Sequence, residues 1–170
     1  YALSEDVATG SSIARWAALA AERGLYIVAG FLEHDGVKLY NSAIVIGPEG
    51  VIGTYRKNHL WADEALYFER GDLGFPVFHT PFGRVGVLIC YDGWFPEAWR
   101  ILALQGADIV CVPTNWVPMA EQPVGMPAMA NVLCMGAAHS NSSPSSARAS
   151  SLTTMAGRSP APQVRASRNW

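Results

Sequence analysis

The sequence has few charged residues and no long apolar run. Of its 170 residues only 15% are charged, and the formal net charge is -2. That balance excludes the basic surface typical of a nucleic-acid-binding protein, and an apolar content of 50% excludes general disorder. No apolar stretch approaches the roughly 20 residues that cross a bilayer, and no basic region followed by an apolar one opens the chain. We therefore expect a protein with a small-molecule partner, no nucleic acid, no membrane and no targeting segment.

Cysteine and histidine are also too sparse to indicate a disulfide framework or a metal site. The three cysteines are odd in number and lack metal-ligand spacing, so neither a disulfide framework nor a cysteine metal site is expected. The four histidines show no repeated short spacing to one another or to a cysteine. We predict no metal, and free thiols favour a reducing, cytoplasmic location.

The periodicity of apolar residues predicts one domain of mixed α/β structure. A first helix is expected to be capped by Ser11 or Ser12 and to end at Gly24. Further helices are predicted at 96–104, ending at Gly106, and from Pro127 to about residue 138. Strands are predicted at 25–31, 39–46, 51–55, 77–79, 85–89 and 109–112. Strand 85–89, helix 96–104 and strand 109–112 form a unit that favours neighbouring parallel strands.

Cys90 is the first candidate for chemistry. It follows the apolar run 85–89, and Pro96 marks the start of a helix just beyond it. A helix N-terminus nearby favours a thiolate and can hold a developing oxyanion. We interpret Cys90 as a nucleophile; the alternative is a small, buried, inert cysteine.

Lys57 and Glu64 are the groups that could assist such a nucleophile. Lys57 is predicted at the end of strand 51–55, and Glu64 lies in the loop or short helical stretch that follows. A lysine supplies a cation for an oxyanion, and a glutamate supplies a carboxylate for orientation or proton transfer. The alternatives are a surface lysine at a hairpin end and a solvated carboxylate beside Asp63.

Three ordered motifs make the sequence resemble the nitrilase superfamily of carbon-nitrogen hydrolases. They are Tyr-Arg-Lys-Asn-His-Leu at 55–60, a glutamate seven residues before Gly71, and Cys-Tyr-Asp with Phe-Pro-Glu at 90–97. The resemblance covers about residues 1–139. It implies a four-layer α-β-β-α sandwich, here incomplete at both ends, and homo-oligomers of the complete protein.

The resemblance also implies roles for individual residues. Cys90 would attack an amide, carbamoyl or nitrile carbon, and the resulting thioester would be hydrolysed by water. Lys57 and the backbone N–H of Tyr91 would stabilise the oxyanion, and Glu64 would help to place the catalytic groups. Candidates for the wall of the substrate pocket are Trp94, Asn115 and Trp116; the alternative for the two tryptophans is a place in the core. No cofactor is implied.

Four other residues near the motifs or at the start of the chain are considered for supporting roles. His59 is expected to anchor the Lys57 loop or to be simply structural. Asp92 and Glu97 are expected to complement the N-terminus of helix 96–104. Glu5 is not assigned as the general base, because the proline-glutamate context that the family shows for that base is missing around it.

From the sequence at its two ends, we expect the chain to be a fragment of a hydrolase. Residues 140–170 form a tail rich in Ser, Ala, Pro and Arg, which predicts disorder and suggests an out-of-frame extension; a basic tail with a binding role is the alternative. Without the family's general base, we expect the chain alone to be inactive, since catalytic residues act as a unit.

The sequence therefore leads to one main functional hypothesis with two alternatives. The main hypothesis is a hydrolase of small amides or carbamoyl compounds that releases ammonia or an amine. A nitrilase that converts a nitrile to an acid and ammonia is the first alternative. A non-catalytic fragment or pseudoenzyme is the alternative from another class.

Overall fold

The computed structural model describes residues 2–116 and 129–142, and these residues form six strands and three helices. The strands are β1 (Ile27–Asp35), β2 (Lys38–Gly47), β3 (Gly50–Arg56), β4 (Val77–Thr80), β5 (Gly83–Val87) and β6 (Ile109–Cys111). The helices are α1 (Ser11–Arg23), α2 (Pro96–Leu104) and α3 (Met129–Asn141), with short 3-10 helices at Ala62–Leu66 and Cys90–Trp94.

The strands form two three-stranded sheets. In the first sheet β1, β2 and β3 are antiparallel and are joined by short hairpin turns. In the second sheet β4 and β5 are antiparallel, whereas β6 lies parallel to β5 after the crossover through α2. The predicted parallel strand-helix-strand unit is confirmed.

Successive side chains of β2 face opposite layers of the structure. Ile44 and Ile46 pack against α1, whereas Ala43 and Val45 face the second sheet. The core between the sheets is completed by Tyr55, Phe78, Val85, Val87 and Ile89. On the far side of the second sheet, a third cluster joins it to α2 and α3 through Leu88, Ala98, Trp99, Leu102, Val112 and Cys134. The expected α-β-β-α sandwich is confirmed within the described residues.

The start of α1 differs from the expectation. Its N-cap is Gly10, and no side chain at the cap position closes the helix. Instead the Glu5 carboxylate accepts the backbone N–H of Ser12 at 3.0 Å. A Cβ on Gly10 would lie 2.5 Å from Glu5 Oε2, which explains a glycine at this position. The prediction of a serine cap was wrong because a carboxylate from an earlier segment occupies the helix N-terminus. The end of α1 is as predicted, with Gly24 in the left-handed conformation.

The boundaries of β1 and β5 also differ from the expectation, since β1 begins at Ile27 and β5 at Gly83. β1 continues through Asp35 because it pairs with β2 along its whole length, which brings the polar residues 33–35 into the strand. β5 ends at Val87, before the predicted end at residue 89. The predicted start of the last helix at Pro127 and nearly all of the tail lie outside the described residues. No helix in the described ranges combines the length and apolar character needed to cross a bilayer.

Candidate active site

Cys90 lies in a sharp turn between the second sheet and α2. Its φ is 46°, in the left-handed region that non-glycine residues seldom adopt. It opens the 3-10 helix Cys90–Trp94, and α2 begins at Pro96, as predicted. Such strain persists where surrounding contacts enforce it, and it is concentrated at functional sites.

Lys57 follows β3 directly and is 2% exposed. Its ammonium Nζ donates to Glu64 Oε2 at 2.7 Å. The other carboxylate oxygen of Glu64 accepts from Asn41 Nδ2 at 3.0 Å, and the backbone N–H of Trp61 donates to Oε2 at 2.8 Å. The predicted Lys57 and Glu64 therefore form a hydrogen-bonded ion pair, and Asn41 is a partner that sequence reasoning missed.

Asp92 is fully buried and connects the Cys90 turn with the Lys57 loop. Its carboxylate accepts from the Tyr55 hydroxyl at 2.8 Å and from the backbone N–H groups of Ile89 and His59, each at 2.9 Å. Burial raises the pKa of the Tyr55 phenol, and the Asp92 charge raises it further, so the phenol stays a donor. The expectation that Asp92 complements the N-terminus of α2 was wrong, because its oxygens face the Lys57 loop and the turn instead.

His59 anchors the Lys57 loop, which is one of the two roles predicted for it. Its Nδ1 lies 2.8 Å from Asp92 Oδ1, and its ring stacks on Phe95 with centroids 3.8 Å apart. The Nδ1–H tautomer is the one that can donate to this carboxylate.

A buried arginine holds the backbone that precedes Lys57. Arg56 forms ion pairs with Glu33, Asp35 and Asp72. The hydrogen bonds that Arg56 donates to Glu33 raise the pKa of Arg56, and the Arg56 guanidinium lowers the pKa of Asp72. On the other side, the Gly71 N–H donates to the Lys57 carbonyl at 2.9 Å. Arg56 belongs to the motif at 55–60, but no local pattern in the sequence indicates these partners.

The predicted site residues line one open cleft of about 960 Å³. It is bordered by all seven of them: Lys57, Glu64, Cys90, Tyr91, Trp94, Asn115 and Trp116. The remaining lining residues are Gly30, Phe31, Leu32, Asn41, Trp61, Phe68, Ile89, Pro113 and Thr114. The loop after β6 was expected near the carboxyl ends of the strands, and it supplies one wall of this cleft.

Aromatic rings form much of the cleft surface. The rings of Trp94 and Trp116 are stacked, with centroids 5.8 Å apart and planes 13° apart. Trp61 and Phe68 also border the cleft, and neither was predicted there because both lie in a loop without periodicity. Among the described residues, no group of three or more His, Cys, Asp or Glu is placed to hold a metal ion.

Glu5 has a different function from the groups in the cleft. Hydrogen bonds from Ser12 lower the pKa of its carboxyl, which is engaged at the N-terminus of α1. Glu64 is the one carboxylate among the described residues that line the cleft.

Comparison with known proteins identifies the family. The model of the carbon-nitrogen hydrolase family matches residues 1–143, so the chain belongs to the carbon-nitrogen hydrolase family. It is similar to a nitrilase of Pyrococcus abyssi, 48% identical over 130 residues that make up 76% of this chain and 49% of the relative. It is also similar to an N-carbamoylputrescine amidase of Arabidopsis thaliana, 45% identical over 108 residues, or 61% of this chain and 36% of the relative.

Solved structures give the same family. A crystal structure of a carbon-nitrogen hydrolase from Helicobacter pylori G27 superposes with a TM-score of 0.68 and 32% identity, covering 76% of this chain and 48% of that one. The chain thus spans at most about half the length of these relatives.

Proposed function

We propose that the protein hydrolyses non-peptide carbon-nitrogen bonds of small amides or carbamoyl compounds through a thioester on Cys90. One observation carries the proposal: a strained cysteine and a buried Lys57–Glu64 ion pair share a single cleft. Membership of the carbon-nitrogen hydrolase family supports the reaction class.

The proposed reaction has two halves. The Cys90 sulfur attacks the carbonyl carbon, and the negative charge that develops on its oxygen is stabilised by the Lys57 ammonium and the Tyr91 backbone N–H. The carbon-nitrogen bond then breaks, the nitrogen takes the proton that the Cys90 thiol gave up, and ammonia or an amine leaves. Water attacks the remaining thioester, which gives the acid and restores the thiol. Glu64 holds the Lys57 ammonium in place by its 2.7 Å hydrogen bond.

Proton transfer in this reaction needs a base. Glu64 is already bonded to Lys57, Asn41 and Trp61, so we assign it a positioning role in the cleft. Because no second carboxylate lines the described part of the cleft, the formation of the thioester must be tested separately from turnover.

The lining of the cleft favours a substrate without a free carboxylate. Lys57 is the one cationic side chain among the described lining residues, and Glu64 already neutralises it. The aromatic rings of Trp94 and Trp116 suit an uncharged or cationic group, the latter through cation-π attraction.

The first test is to trap the thioester. The 170-residue chain is mixed with an activated acyl donor such as p-nitrophenyl acetate, and the acylated peptide is identified by mass spectrometry. We expect the acyl group on Cys90, none in Cys90→Ser, and full labelling in Cys111→Ser. Burial raises the pKa of the Cys111 thiol, which keeps it protonated and unreactive at neutral pH. Acylation that is unchanged in Cys90→Ser would contradict the proposal.

The second test identifies the substrate class. Matched amides, carbamoyl compounds and nitriles are offered, each with a neutral, cationic or carboxylate-bearing tail, and ammonia and the organic products are measured. Amide or carbamoyl consumption supports the main proposal, whereas nitrile consumption supports the nitrilase alternative suggested by the Pyrococcus relative. Thioester formation without turnover on any compound would favour a non-catalytic fragment.

We also propose a cytoplasmic location and a homo-oligomeric assembly. A cysteine nucleophile requires a reduced thiol, which suits the cytoplasm, and neither Cys90 nor Cys111 forms a disulfide within the described residues. The outer faces of α2 and α3 expose Leu104, Val132 and Met135, which suits homo-oligomers of the complete protein. Sedimentation analysis of the complete protein would test this assembly.

A further inference from the structure

We propose that Asp92 is a positioning residue that sets the separation between the Cys90 thiol and the Lys57 ammonium. The inference rests on the proposed function, in which these two groups act on the same carbonyl. Asp92 does not line the cleft and is fully buried, so it acts through the residues that it binds.

On one side Asp92 closes the turn that carries Cys90. Its Oδ2 accepts the Ile89 N–H at 2.9 Å, and its own N–H donates to the Ile89 carbonyl at 3.0 Å. These two hydrogen bonds link the residues on either side of the 90–91 segment. They hold Cys90 in its left-handed conformation, which an unconstrained cysteine would leave.

On the other side Asp92 binds the chain on both flanks of Lys57. The Tyr55 hydroxyl donates to Oδ2 at 2.8 Å, and the His59 N–H and Nδ1 lie 2.9 and 2.8 Å from Oδ1. Tyr55 is two residues before Lys57 and His59 is two residues after it. A single carboxylate therefore fixes both ends of the lysine segment relative to the cysteine turn.

The four donors leave Asp92 little capacity for any other task. Two donors meet each carboxylate oxygen, so the group is not available to accept a proton from a substrate. The stack of His59 on Phe95 holds the imidazole in the orientation that directs Nδ1 to Asp92. Phe95 immediately precedes α2, so the turn after Cys90 contributes both a carboxylate and a ring to the same histidine.

The separation of the two groups can be measured directly. o-Phthalaldehyde condenses with a thiol and a primary amine that lie within reach of one another, giving a fluorescent isoindole and two molecules of water. The chain suits this probe because its lysines are Lys38 and Lys57 alone. We expect the isoindole to form in the unmodified chain, and mass spectrometry should show that it joins Cys90 to Lys57. The isoindole should be lost in Cys90→Ser and in Lys57→Arg.

The central comparison is Asp92→Asn against Glu97→Gln. Both remove one negative charge from the same segment, but Glu97 is exposed and on the first turn of α2. We expect Asp92→Asn to lower the rate of isoindole formation by about tenfold or more, because small displacements of reacting groups have effects of this size. Glu97→Gln should stay within about twofold, as expected for an exposed charge.

A second pair keeps the test decisive if Asp92→Asn fails to fold. His59→Phe retains an aromatic ring against Phe95 but loses the Nδ1 donor, whereas His59→Asn retains an N–H donor near the Nδ1 position. We expect the isoindole to be lost in His59→Phe and to be restored in part in His59→Asn. Circular dichroism establishes that each variant is folded.

The outcomes separate this inference from the proposed function. Equal isoindole rates in folded Asp92→Asn and the unmodified chain, or equal rates in the two His59 variants, would overturn the positioning role alone. Absence of the isoindole in the unmodified chain would overturn the shared centre of Cys90 and Lys57, and the positioning role with it.

Discussion

Several charged side chains near the cleft have been removed from water, and each is compensated by specific partners. Lys57 is 2% exposed, Glu33 is 2% exposed and Asp92 is fully buried. A buried charge without a partner is very costly, so these groups constrain the positions of their neighbours strongly. The chemistry of the site therefore depends on pairs of residues that are distant in sequence.

Arg56 gives the clearest stability prediction among these residues. Arg56→Met removes the cation that pairs with buried Glu33 and leaves that carboxylate uncompensated. We expect the free energy of unfolding to fall by about 3 to 5 kcal/mol, the usual cost of breaking a buried pair on one side. Urea unfolding followed by fluorescence measures the change.

The matched control is Arg84→Met. Arg84 pairs with Asp108, and both side chains are close to half exposed. Surface pairs contribute little, so this variant should lose much less stability than Arg56→Met. Equal losses in the two variants would contradict the view that burial of Glu33 makes Arg56 important.

Secondary structure elements contribute to the site mainly through their ends. Lys57 follows the end of β3, Cys90 lies beyond the end of β5, and the cleft loop 113–116 follows β6. Loops at the ends of packed strands can carry polar groups because the strands themselves provide rigid support. Helix α1 lies on the opposite side of the first sheet and depends on a carboxylate outside the helix.

Glu5 should stabilise α1 by capping its first turn. Glu5→Gln removes the charge that faces the backbone N–H groups of Ser12 and Ile13. We expect a loss of about 0.5 to 2 kcal/mol in the free energy of unfolding, as for other N-terminal caps. Thermal unfolding followed by circular dichroism measures it.

Glu22→Gln is the control on the same helix. Among the described residues, the ion-pair partner of Glu22 is its neighbour Arg23, on an exposed surface near the other end of α1. Glu22→Gln should leave the midpoint of thermal unfolding almost unchanged. A larger shift for Glu22→Gln than for Glu5→Gln would rule out the capping role of Glu5.

At the scale of the whole molecule, the free energy of unfolding should depend on pH below the neutral range. Arg56 lowers the pKa of Asp72, and Ser12 lowers that of Glu5. A carboxyl whose pKa is lower in the folded chain adds stability above its unfolded pKa, and that stability is lost as the pH falls through the folded pKa. We expect the free energy of unfolding to decrease below about pH 4, where unfolded carboxyls take up protons.

A series of urea unfolding curves from pH 7 to pH 3 measures this dependence. The double variant Glu5→Gln with Asp72→Asn lacks both carboxyls and should show a smaller decrease over the acid range. If its decrease equals that of the unmodified chain, these two groups do not account for the acid sensitivity.

Local patterns in the sequence predicted much of the fold and of the site. Apolar segments on either side of the turn at 47–50 located β2 and β3, Pro96 located the start of α2, and Gly24 located the end of α1. The motifs around Lys57, Glu64 and Cys90 proposed three residues that the structure brings into one cleft. These signals work because the periodicity, the fixed φ of proline and the left-handed preference of glycine act over a few residues.

The sequence by itself therefore determined the order of the elements and the residue types available for chemistry, and its resemblance to a family implied the layers that the elements form. Tertiary structure alone decided that Glu5 caps α1, that Glu33 joins Arg56 across 23 positions, and that Asp92 joins His59 across 33 positions. A carboxylate can accept a hydrogen bond from any donor that the fold brings close to it. The residues next to the carboxylate in the sequence do not indicate which donor that is. For this reason the candidate catalytic residues could be read from the sequence, whereas the side chains that hold them in place could not.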